Sequence, residues 1–570
     1  MWNCVLAGMA QTKQVVRVGH AFLKEPCIAV AASYPNRARC AVAEPPSASA
    51  REFHVKPLTP TPIFAIVRRW ESALEWRWAT PVILVALTAL SLFIRTRQLN
   101  AGFWIDEGIS VGLAHHHWSS IPSLLRQDGS PPAYYMLLGL WIRAFGDSER
   151  ATHTLSLLFG LASIPLAYAA ARSLFDRRTG LVCALLAAMN PFLTYYAQES
   201  RMYELEAFLS FVIAYAYVQG VLRGRRAWAA LLVPAVTLML YSHNWGLFVC
   251  LGLAVTTAVF ARERLKLFGL VTLGIAVLYA PWLPTLLSQA KHTGAPWSTV
   301  PTVHDLVLAP MYVLGSEGAF LALALVGGAG LAEVVRTKLG EERRIVLALA
   351  TLAAVTIVAA FISSQFSPGW TARYFSVILG PVLLLGARGL VRARRLGFAA
   401  LVAVIFLWSF YTVHDDKENA RSITAGVAPY MHPGELVIST HPEQGPVLRY
   451  YLGPGFRWAD TLGWVKDPQV FDWRDAVSRL EHTRARPTLD RLLATVPVGG
   501  RFVVITPVFR DYRAWRARWT KLVWQKSTAW TWLLQRDPRL KLVAHVATVE
   551  IAVHKNYFKP LQAFVYRRVG

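Results

Sequence analysis

Cysteine is scarce in this chain, and its positions exclude the folds that depend on it. The 570 residues contain 5 cysteines, namely Cys4, Cys27, Cys40, Cys183 and Cys250. They form no CxxC pair, and none follows residue 250. A disulfide framework or a structural zinc site needs several cysteines or histidines at short spacing. The sequence therefore predicts neither, including in its C-terminal part.

Charged residues are also few, which excludes an ordinary soluble protein. They make up 16% of the chain, whereas 54% of the residues are hydrophobic. Between about residues 79 and 412, the apolar residues form long runs, each roughly the length that crosses about 30 Å of hydrocarbon. The composition predicts an all-α polytopic bundle in the cell membrane, with the lipid bilayer as its surroundings.

Twelve apolar runs are candidate membrane spans. They cover about residues 79–97, 131–147, 150–173, 179–197, 201–222, 227–243, 246–261, 266–288, 312–335, 344–362, 374–391 and 396–413.

Acidic residues are outnumbered, and the excess of basic residues orients the chain. The 59 Lys and Arg against 34 Asp and Glu give a net charge of +25. The basic residues cluster between apolar runs, for example at 223–226 and 392–395, which is the positive-inside pattern and not a nucleic-acid surface. The loop 98–130 and the C-terminal part then both lie outside the cytoplasm. That arrangement requires an odd number of spans, so we predict 11 or 13.

Composition divides the chain into three parts. Residues 1–75 show no sustained periodicity and no signal-peptide pattern, which predicts a disordered cytoplasmic extension. Residues 76–413 carry the spans and the outer loop 98–130. Residues 414–570 are charged, and their patterns predict strands at 434–440, 501–508 and 542–554 and a helix at 446–452. We expect a small extracytoplasmic α/β domain there.

The stretch NAGFWIDEGISVG, residues 100–112, places two adjacent carboxylates just past the first span. We expect a short interfacial helix from DEGISVGLAHHHW. Asp106 is either its N-cap, stabilised by the helix dipole, or a general base for an acceptor hydroxyl, with Phe103 and Trp104 excluding water. Adjacent residues point in different directions on a helix, so Glu107 would have a different role from Asp106.

Three consecutive histidines follow, at residues 115–117. On a helix they fan out through about 200°, so they cannot all bind one ion. We therefore predict no metal site here.

Further polar residues lie near the outer ends of later runs. Asp128 stands close to the span that begins near Pro131, and Tyr134 is typical of an aromatic belt at the membrane surface. Arg201 lies where two apolar runs meet. It either pairs with Glu204 at i,i+3 or faces an outer cavity and binds an anionic ligand.

Two more polar side chains lie at the outer ends of apolar runs. His243 ends another outward span, and Arg373 begins a later one beside aromatic residues. An outer-face Arg either binds a phosphate or reaches toward lipid headgroups. Lys417 and Arg421 follow the last span and would close over the same ligand.

Several motifs, taken in order, resemble a known family. They are IDEGIS, DGSPPAYY, FGDSERATHTLS, NPFLTYYAQESRMYEL, YSHNWG and TARYFSVILGP. This ordered set, spread over about residues 79 to 425, is similar to the GT-C glycosyltransferases. The likeness is greatest to the bacterial members akin to protein O-mannosyltransferases, glycosyltransferase family 39, and to the lipid A aminoarabinose transferases.

The resemblance implies a membrane enzyme that moves a mannose- or arabinose-like sugar from a polyprenyl-phosphate carrier to a glycan, lipid or protein acceptor outside the cytoplasm. It makes Asp106 the catalytic base of an inverting reaction and Glu107 an acceptor ligand or an orienting partner. It implies no nucleotide sugar and no cofactor. The oligosaccharyltransferase branch uses a divalent ion, but the sequence has no matching acidic constellation.

The same resemblance assigns the binding residues. Arg201 and Arg373 become candidates for the donor phosphate, with His243 beside them. The candidate substrate-binding residues are Asp128, Tyr134, Tyr203, Lys417 and Arg421.

Two other functions compete with the transferase. A transporter, flippase or polymerase of lipid-linked sugars would also need Arg and acidic groups, but a transporter predicts them at the bilayer midplane and in repeated halves. Here they lie at the outer ends of the spans, and the chain has no evident internal repeat. A membrane scaffold gives no reason for Asp106, Arg201 and Arg373 to share one face.

Overall fold

The computed structural model describes residues 77–337, 340–411, 417–509, 515–547 and 560–570. The predicted extension 1–75 lies outside the described residues. Contacts divide the chain into a unit of residues 1–79 and a unit of residues 80–570, and the second contains almost all of the helical bundle and the whole C-terminal sheet.

The bundle occupies the described chain up to residue 411. Its helices are α1 (Ala79–Arg95), α2 (Ile105–His115), α3 (Ile121–Asp128), α4 (Ala133–Phe145), α5 (Glu149–Leu174), α6 (Arg177–Met189), α7 (Pro191–Tyr196), α8 (Tyr203–Tyr217), α9 (Arg226–Ser242), α10 (Gly246–Phe260), α11 (Leu265–Tyr279), α12 (Leu283–His292), α13 (Val303–Leu314), α14 (Glu317–Ala322), α15 (Gly328–Arg336), α16 (Glu341–Phe366), α17 (Leu379–Arg392) and α18 (Arg394–Ser409).

The apolar runs of the sequence form these helices. In the described part of the chain, six helical segments are long and apolar enough to cross a membrane: Glu149–Leu174, Tyr203–Leu222, Arg262–His292, Glu317–Arg336, Glu341–Phe366 and Ala372–Arg392. Shorter apolar helices account for further predicted spans. The multi-span membrane fold is thus confirmed. The run predicted at 312–335 divides between two helices, α13 and the segment Glu317–Arg336, and the number of crossings stays a prediction.

Side-chain caps and ion pairs fix one end of the bundle. The Asp176 carboxylate accepts a hydrogen bond from the Thr179 backbone N–H at 2.8 Å and so caps α6. Arg388, near the end of α17, binds both Asp176 and Glu342. Arg373 lies at the other end of the same segment, Ala372–Arg392. The two ends of this segment therefore serve different purposes, one structural and one at the candidate site.

The C-terminal part is an α/β domain, as the sequence predicts. Its elements are α19 (Ala420–Val427), β1 (Leu436–Ser439), α20 (Gly445–Leu452), β2 (Arg457–Asp460), β3 (Gly463–Val465), α21 (Ala476–His482), α22 (Ala485–Leu493), β4 (Arg501–Pro507), α23 (Arg518–Arg536), β5 (Leu540–Val546) and β6 (Leu561–Arg568).

The strands form one mixed sheet in the order β3-β2-β1-β4-β6-β5. Strand β1 runs parallel to β2 and β4, and β6 runs antiparallel to β4 and β5. Strand β4 is buried on both faces, as is usual for a central strand of a sheet that is covered on both sides. The predicted strands at 434–440 and 501–508 and the helix at 446–452 are confirmed. The segment 542–554 holds the end of β5, and its last residues lie outside the described part.

The α/β domain packs directly on α2, the helix that carries the two carboxylates. Two glycines one turn apart allow this close approach. A Cβ on Gly108 would lie 2.5 Å from the Cβ of Val447 in α20, and one on Gly112 would lie 2.1 Å from the backbone oxygen of Gln469. Helix α2 is thus held between the bundle and the sheet domain.

Adding a methyl group at this contact should destabilise the protein. For Gly112→Ala we expect a lower Tm in detergent, because the new Cβ meets a backbone oxygen, and overpacking of this kind costs about 1–3 kcal/mol. Gly269→Ala in α11 is the matched control, because a Cβ there meets nothing within 4 Å and adds only helix propensity. Equal Tm values for the two variants would contradict the close packing of α2.

Candidate active site

Asp106 lies at the start of α2 and faces two arginines. The helix begins at Ile105 with Trp104 as its N-cap, so the expectation that Asp106 is the N-cap is wrong. The Asp106 Oδ2 atom lies 3.2 Å from Nη2 of Arg373 and 4.0 Å from Nη2 of Arg201. Its side chain is 19% exposed. Two guanidinium groups therefore converge on one carboxylate, which remains partly accessible to solvent.

Arg201 is held in place by the hydrogen bonds that it donates to residues of α2 and α4. Its Nη1 donates to the Ser110 hydroxyl at 3.0 Å, to the Tyr135 hydroxyl at 3.1 Å and to the backbone oxygen of Asp106 at 3.4 Å. Arg201 therefore pairs with Asp106, and the alternative expectation of an i,i+3 pair with Glu204 is wrong.

Glu204 faces another part of the bundle. A Cβ on Gly160 in α5 would lie 2.9 Å from Glu204 Oε2 and 2.5 Å from Nη1 of Arg95. The residue opposite Glu204 is therefore Arg95 of α1. Sequence spacing alone could not show this, because the partner comes from a helix about 100 residues earlier.

Arg373 is positioned by aromatic rings. Its guanidinium carbon lies 5.3 Å from the ring centroid of Trp104 and 5.7 Å from that of Tyr374. Cation–π contacts at this range are attractive and keep the planar group oriented. Arg373 enters the site at the start of the segment 372–392, as expected from the sequence.

His243 joins this aromatic surface. Its ring centroid lies 4.3 Å from that of Tyr374 and 6.5 Å from that of Tyr203. Its Nδ1 accepts the Trp245 backbone N–H at 3.2 Å, so this nitrogen carries no proton and the neutral ring has its proton on Nε2. His243 thus offers an N–H donor without adding a charge.

Glu107 points away from Asp106 into the protein interior. Its Oε1 accepts hydrogen bonds from His153 Nε2 at 2.7 Å and from the Ser200 backbone N–H at 2.8 Å, and its Oε2 accepts from Lys417 Nζ at 2.9 Å. Burial alone would raise the Glu107 pKa, but Lys417, His153 and Ser200 outweigh it and lower this pKa to about 2. The side chain is 0% exposed. This geometry supports the role of orienting partner over that of acceptor ligand.

The remaining predicted site residues fall into two groups. Asp128 is buried near the site. Burial raises its pKa, although a hydrogen bond from Ser130 acts in the opposite direction. The ring of Tyr203 lies 5.8 Å from the Arg201 guanidinium carbon, at the site. Arg421, in contrast, binds Glu149 at 2.7 Å and is 44% exposed. It stays outside the group around Asp106.

Next to two of the predicted residues, Tyr134 and Lys417, lie residues that the sequence analysis did not name as site residues. Tyr134 is fully buried, and the adjacent Tyr135 is the one that contacts Arg201. Lys417 lies with Glu107 and His153. The signal for His153 was present, since it is a histidine inside an apolar helical run and within one of the quoted motifs.

The three consecutive histidines contact three different partners. His115 lies 3.1 Å from Asp147, His116 lies 2.8 Å from Asp467, and His117 contacts Ser119. Among the residues that the structure describes, no three His, Cys, Asp or Glu side chains are arranged to hold a metal ion. The absence of a cofactor stays a prediction.

An apolar groove lies between α4 and α9. Its volume is about 570 Å³, and its lining includes Ala133 and Met136 of α4, Tyr241 of α9, and Trp282. Ala133 stands two residues before Tyr135, and Tyr241 stands two residues before His243. The groove is therefore lined by α4, the helix that carries Tyr135, and by α9, the helix that His243 directly follows.

Glu107→Gln should lower stability in a pH-dependent way. The folded-state pKa of about 2 is below the ordinary 4.5, so the ionised Glu107 stabilises the fold above pH 4.5 and loses this effect as the pH falls toward 2. We expect the variant to have a lower Tm at pH 7 and the gap to wild type to narrow between pH 5 and 3. Glu481→Gln, which removes an exposed pair with Arg518, is the control with little expected effect. A gap that stays constant with pH would contradict the assignment.

Comparisons with known proteins bear on the family and the fold of this chain. Residues 129–287 match the family model described as dolichyl-phosphate-mannose-protein mannosyltransferase. No curated protein matches the chain in sequence.

Solved structures share the fold. ArnT from Cupriavidus metallidurans in the apo state aligns with a TM-score of 0.55 at 14% identity over 85% of this chain and 98% of that chain. The same protein bound to undecaprenyl phosphate aligns with a TM-score of 0.55 at 13% identity over 86% and 98%. A variant of the arabinofuranosyltransferase AftD from Mycobacteria gives 0.50 at 16% identity over 85% and 41%. The resemblance indicated by the sequence is thereby confirmed: this chain has the fold of the GT-C glycosyltransferases.

Proposed function

We propose that this chain is an integral membrane glycosyltransferase that moves a sugar from a polyprenyl-phosphate carrier to an extracytoplasmic acceptor. The observation that carries the proposal is the convergence of Arg201 and Arg373 on Asp106, at 4.0 and 3.2 Å, in a bundle that also has an apolar groove between α4 and α9. A phosphate group, a long apolar tail and a proton acceptor are what such a donor and such a reaction require.

The two arginines suit the phosphate of the donor. Guanidinium groups bind phosphate oxygens through paired N–H donors and keep their charge at any physiological pH. In the ligand-free arrangement they carry two positive charges against the single negative charge of Asp106. The site therefore has one positive charge in excess, and a bound phosphate would share both guanidiniums. ArnT, which has the same fold, binds undecaprenyl phosphate, and this supports the choice of carrier.

Asp106 suits the role of general base. The acceptor hydroxyl gives its proton to the Asp106 carboxylate while its oxygen bonds to the anomeric carbon of the sugar. The bond between that carbon and the phosphate oxygen breaks, and its electron pair leaves with the polyprenyl phosphate. Arg201 and Arg373 offset the charge that develops on this leaving group. Transfer of the arginines toward phosphate also releases the Asp106 carboxylate for the acceptor.

The rest of the site fits a sugar and its carrier. Tyr203, His243 and Tyr374 form an aromatic surface against which a sugar ring can pack, and His243 adds a neutral N–H donor. The groove of about 570 Å³ offers an apolar path for the first part of the isoprenoid tail. A mannose- or arabinose-like sugar is our proposal for the transferred group.

The ion pairs of the bundle support an extracytoplasmic site. Arg388 and Arg392, which bind Glu342, lie at the opposite end of the segment 372–392 from Arg373. Clusters of Arg and Lys on that end are typical of the cytoplasmic face. Arg373 and Asp106 then lie on the outer side, together with the α/β domain that packs on α2.

Asp106→Asn should abolish transfer. We expect loss of sugar transfer by at least about 100-fold, because one general base contributes about 10²- to 10⁴-fold. The measurement uses purified full-length protein with polyprenyl-phosphate mannose and polyprenyl-phosphate aminoarabinose, with and without EDTA, and follows release of the sugar from the carrier. Normal turnover by the variant would contradict the role of Asp106. Movement of the intact sugar-lipid across proteoliposomes without cleavage would favour a transporter.

A bulky residue in the groove should impair the use of long carriers. For Ala133→Trp we expect a higher KM for an undecaprenyl donor than for a short-chain analogue, because the indole fills the apolar path. Leu140→Trp is the control on the same helix, since Leu140 is 60% exposed and lies away from the groove lining. An equal effect of Ala133→Trp on both carrier lengths would contradict the assignment of the groove.

A further inference from the structure

Four ionisable side chains form a buried cluster directly behind the candidate site. They are Glu107 of α2, His153 of α5, Glu199 from the segment before α8, and Lys417 from the segment that leads into the α/β domain. Their side chains are 0%, 0%, 1% and 7% exposed, respectively. Burying charged groups is costly unless they are paired, and Glu107 is paired with both His153 and Lys417.

Lys417 is satisfied entirely by protein groups. Its Nζ donates to Glu107 Oε2 at 2.9 Å and to the Gln198 backbone oxygen at 2.9 Å, and it lies 3.5 Å from Glu199 Oε1. Burial raises the Glu199 pKa to about 7, although Lys417 opposes this. The ammonium group therefore has three protein oxygens around it and little surface left for a substrate.

His153 is the second partner of Glu107 in the cluster. Its Nε2 faces Glu107 Oε1 at 2.7 Å, and its Nδ1 faces the Leu99 backbone oxygen at 2.8 Å. Both partners are oxygen atoms, one of a carboxylate and one of a carbonyl, so the ring is held from both sides in the protein interior.

The cluster joins the two segments that form the site. Glu107 is adjacent to Asp106, and its Oε1 also accepts the backbone N–H of Ser200, which is adjacent to Arg201. The distance between the Asp106 carboxylate and the Arg201 guanidinium therefore depends on the same carboxylate that Lys417 holds. A displacement of about 1 Å at reacting groups can lower a rate by about 100-fold.

We propose that Lys417 is a positioning residue for the transfer reaction, which fixes Asp106 relative to Arg201 through Glu107. This inference rests on the proposed glycosyltransferase function. It assigns Lys417 a role different from substrate binding, and it makes the start of the α/β domain part of the catalytic framework.

The test separates turnover from binding in Lys417→Met. We expect kcat to fall by about 100-fold, because Glu107 loses its partner and Asp106 shifts, while the Kd for undecaprenyl phosphate stays within about threefold. The double variant Glu107→Gln with Lys417→Met should lose less than the product of the two single losses, because both changes break the contact between Glu107 and Lys417. In the double variant neither member of the pair Glu107 and Lys417 is charged. It can therefore replace Lys417→Met in the test if that single variant does not accumulate.

Arg392→Met is the matched control. It breaks an ion pair with Glu342 at the other end of the bundle and should leave kcat within about twofold of wild type even if Tm falls. Unchanged kcat in Lys417→Met would overturn the inference, and so would a rise in Kd that accounts for the whole loss of activity. Additive losses in the double variant would overturn it as well. A wild-type protein that transfers no sugar would instead overturn the proposed function itself.

Discussion

A carboxylate held between two guanidinium groups, at the edge of an apolar bundle, is the interaction on which this site depends. Asp106 is near Arg373 and Arg201, and the two arginines come from segments about 170 residues apart. Each arginine is oriented by its own neighbours, Arg201 by hydroxyl groups and Arg373 by aromatic rings. Their positive charges are therefore held in place before any ligand binds, and in our proposal this preorganisation serves the donor phosphate and lowers the barrier at little cost.

The α/β domain helps to fix the helix that carries Asp106. Helix α2 packs against the domain through Gly108 and Gly112, and the Tyr451 hydroxyl accepts the Phe103 backbone N–H at 2.7 Å. On the other side, Glu107 ties α2 to the bundle through His153 and Ser200. The short helix with the proposed base is thus fixed from both sides. An outer domain that only covered the bundle would not need these contacts.

Much of this architecture could be predicted from the sequence, because hydrophobic run length and basic clusters report directly on the bundle. The sequence also predicted that Asp106, Arg201, Arg373 and His243 lie together, since topology places these helix ends on one face. The ion-pair partner of each charged residue could not be predicted. The pair of Arg201 with Glu204 was expected from i,i+3 spacing, but tertiary contacts place Asp106 beside Arg201 and Arg95 beside Glu204.

Direction and burial were the other properties that sequence patterns did not show. Glu107 stands next to Asp106 yet points into the interior, and Tyr135 contacts Arg201 whereas Tyr134 had been singled out. Strand β6 was not foreseen, although it pairs with both β4 and β5 at the centre of that half of the sheet. Such features depend on which face of an element meets its neighbour, and one sequence does not contain that information.

The most direct test of the central claim is an experimental structure of the protein with undecaprenyl phosphate bound. Our account predicts the phosphate within hydrogen-bond distance of Arg201 and Arg373, the tail entering the groove beside Ala133 and Tyr241, and the Asp106 carboxylate released from Arg373. A phosphate bound elsewhere, with the contact between Asp106 and Arg373 intact, would contradict it.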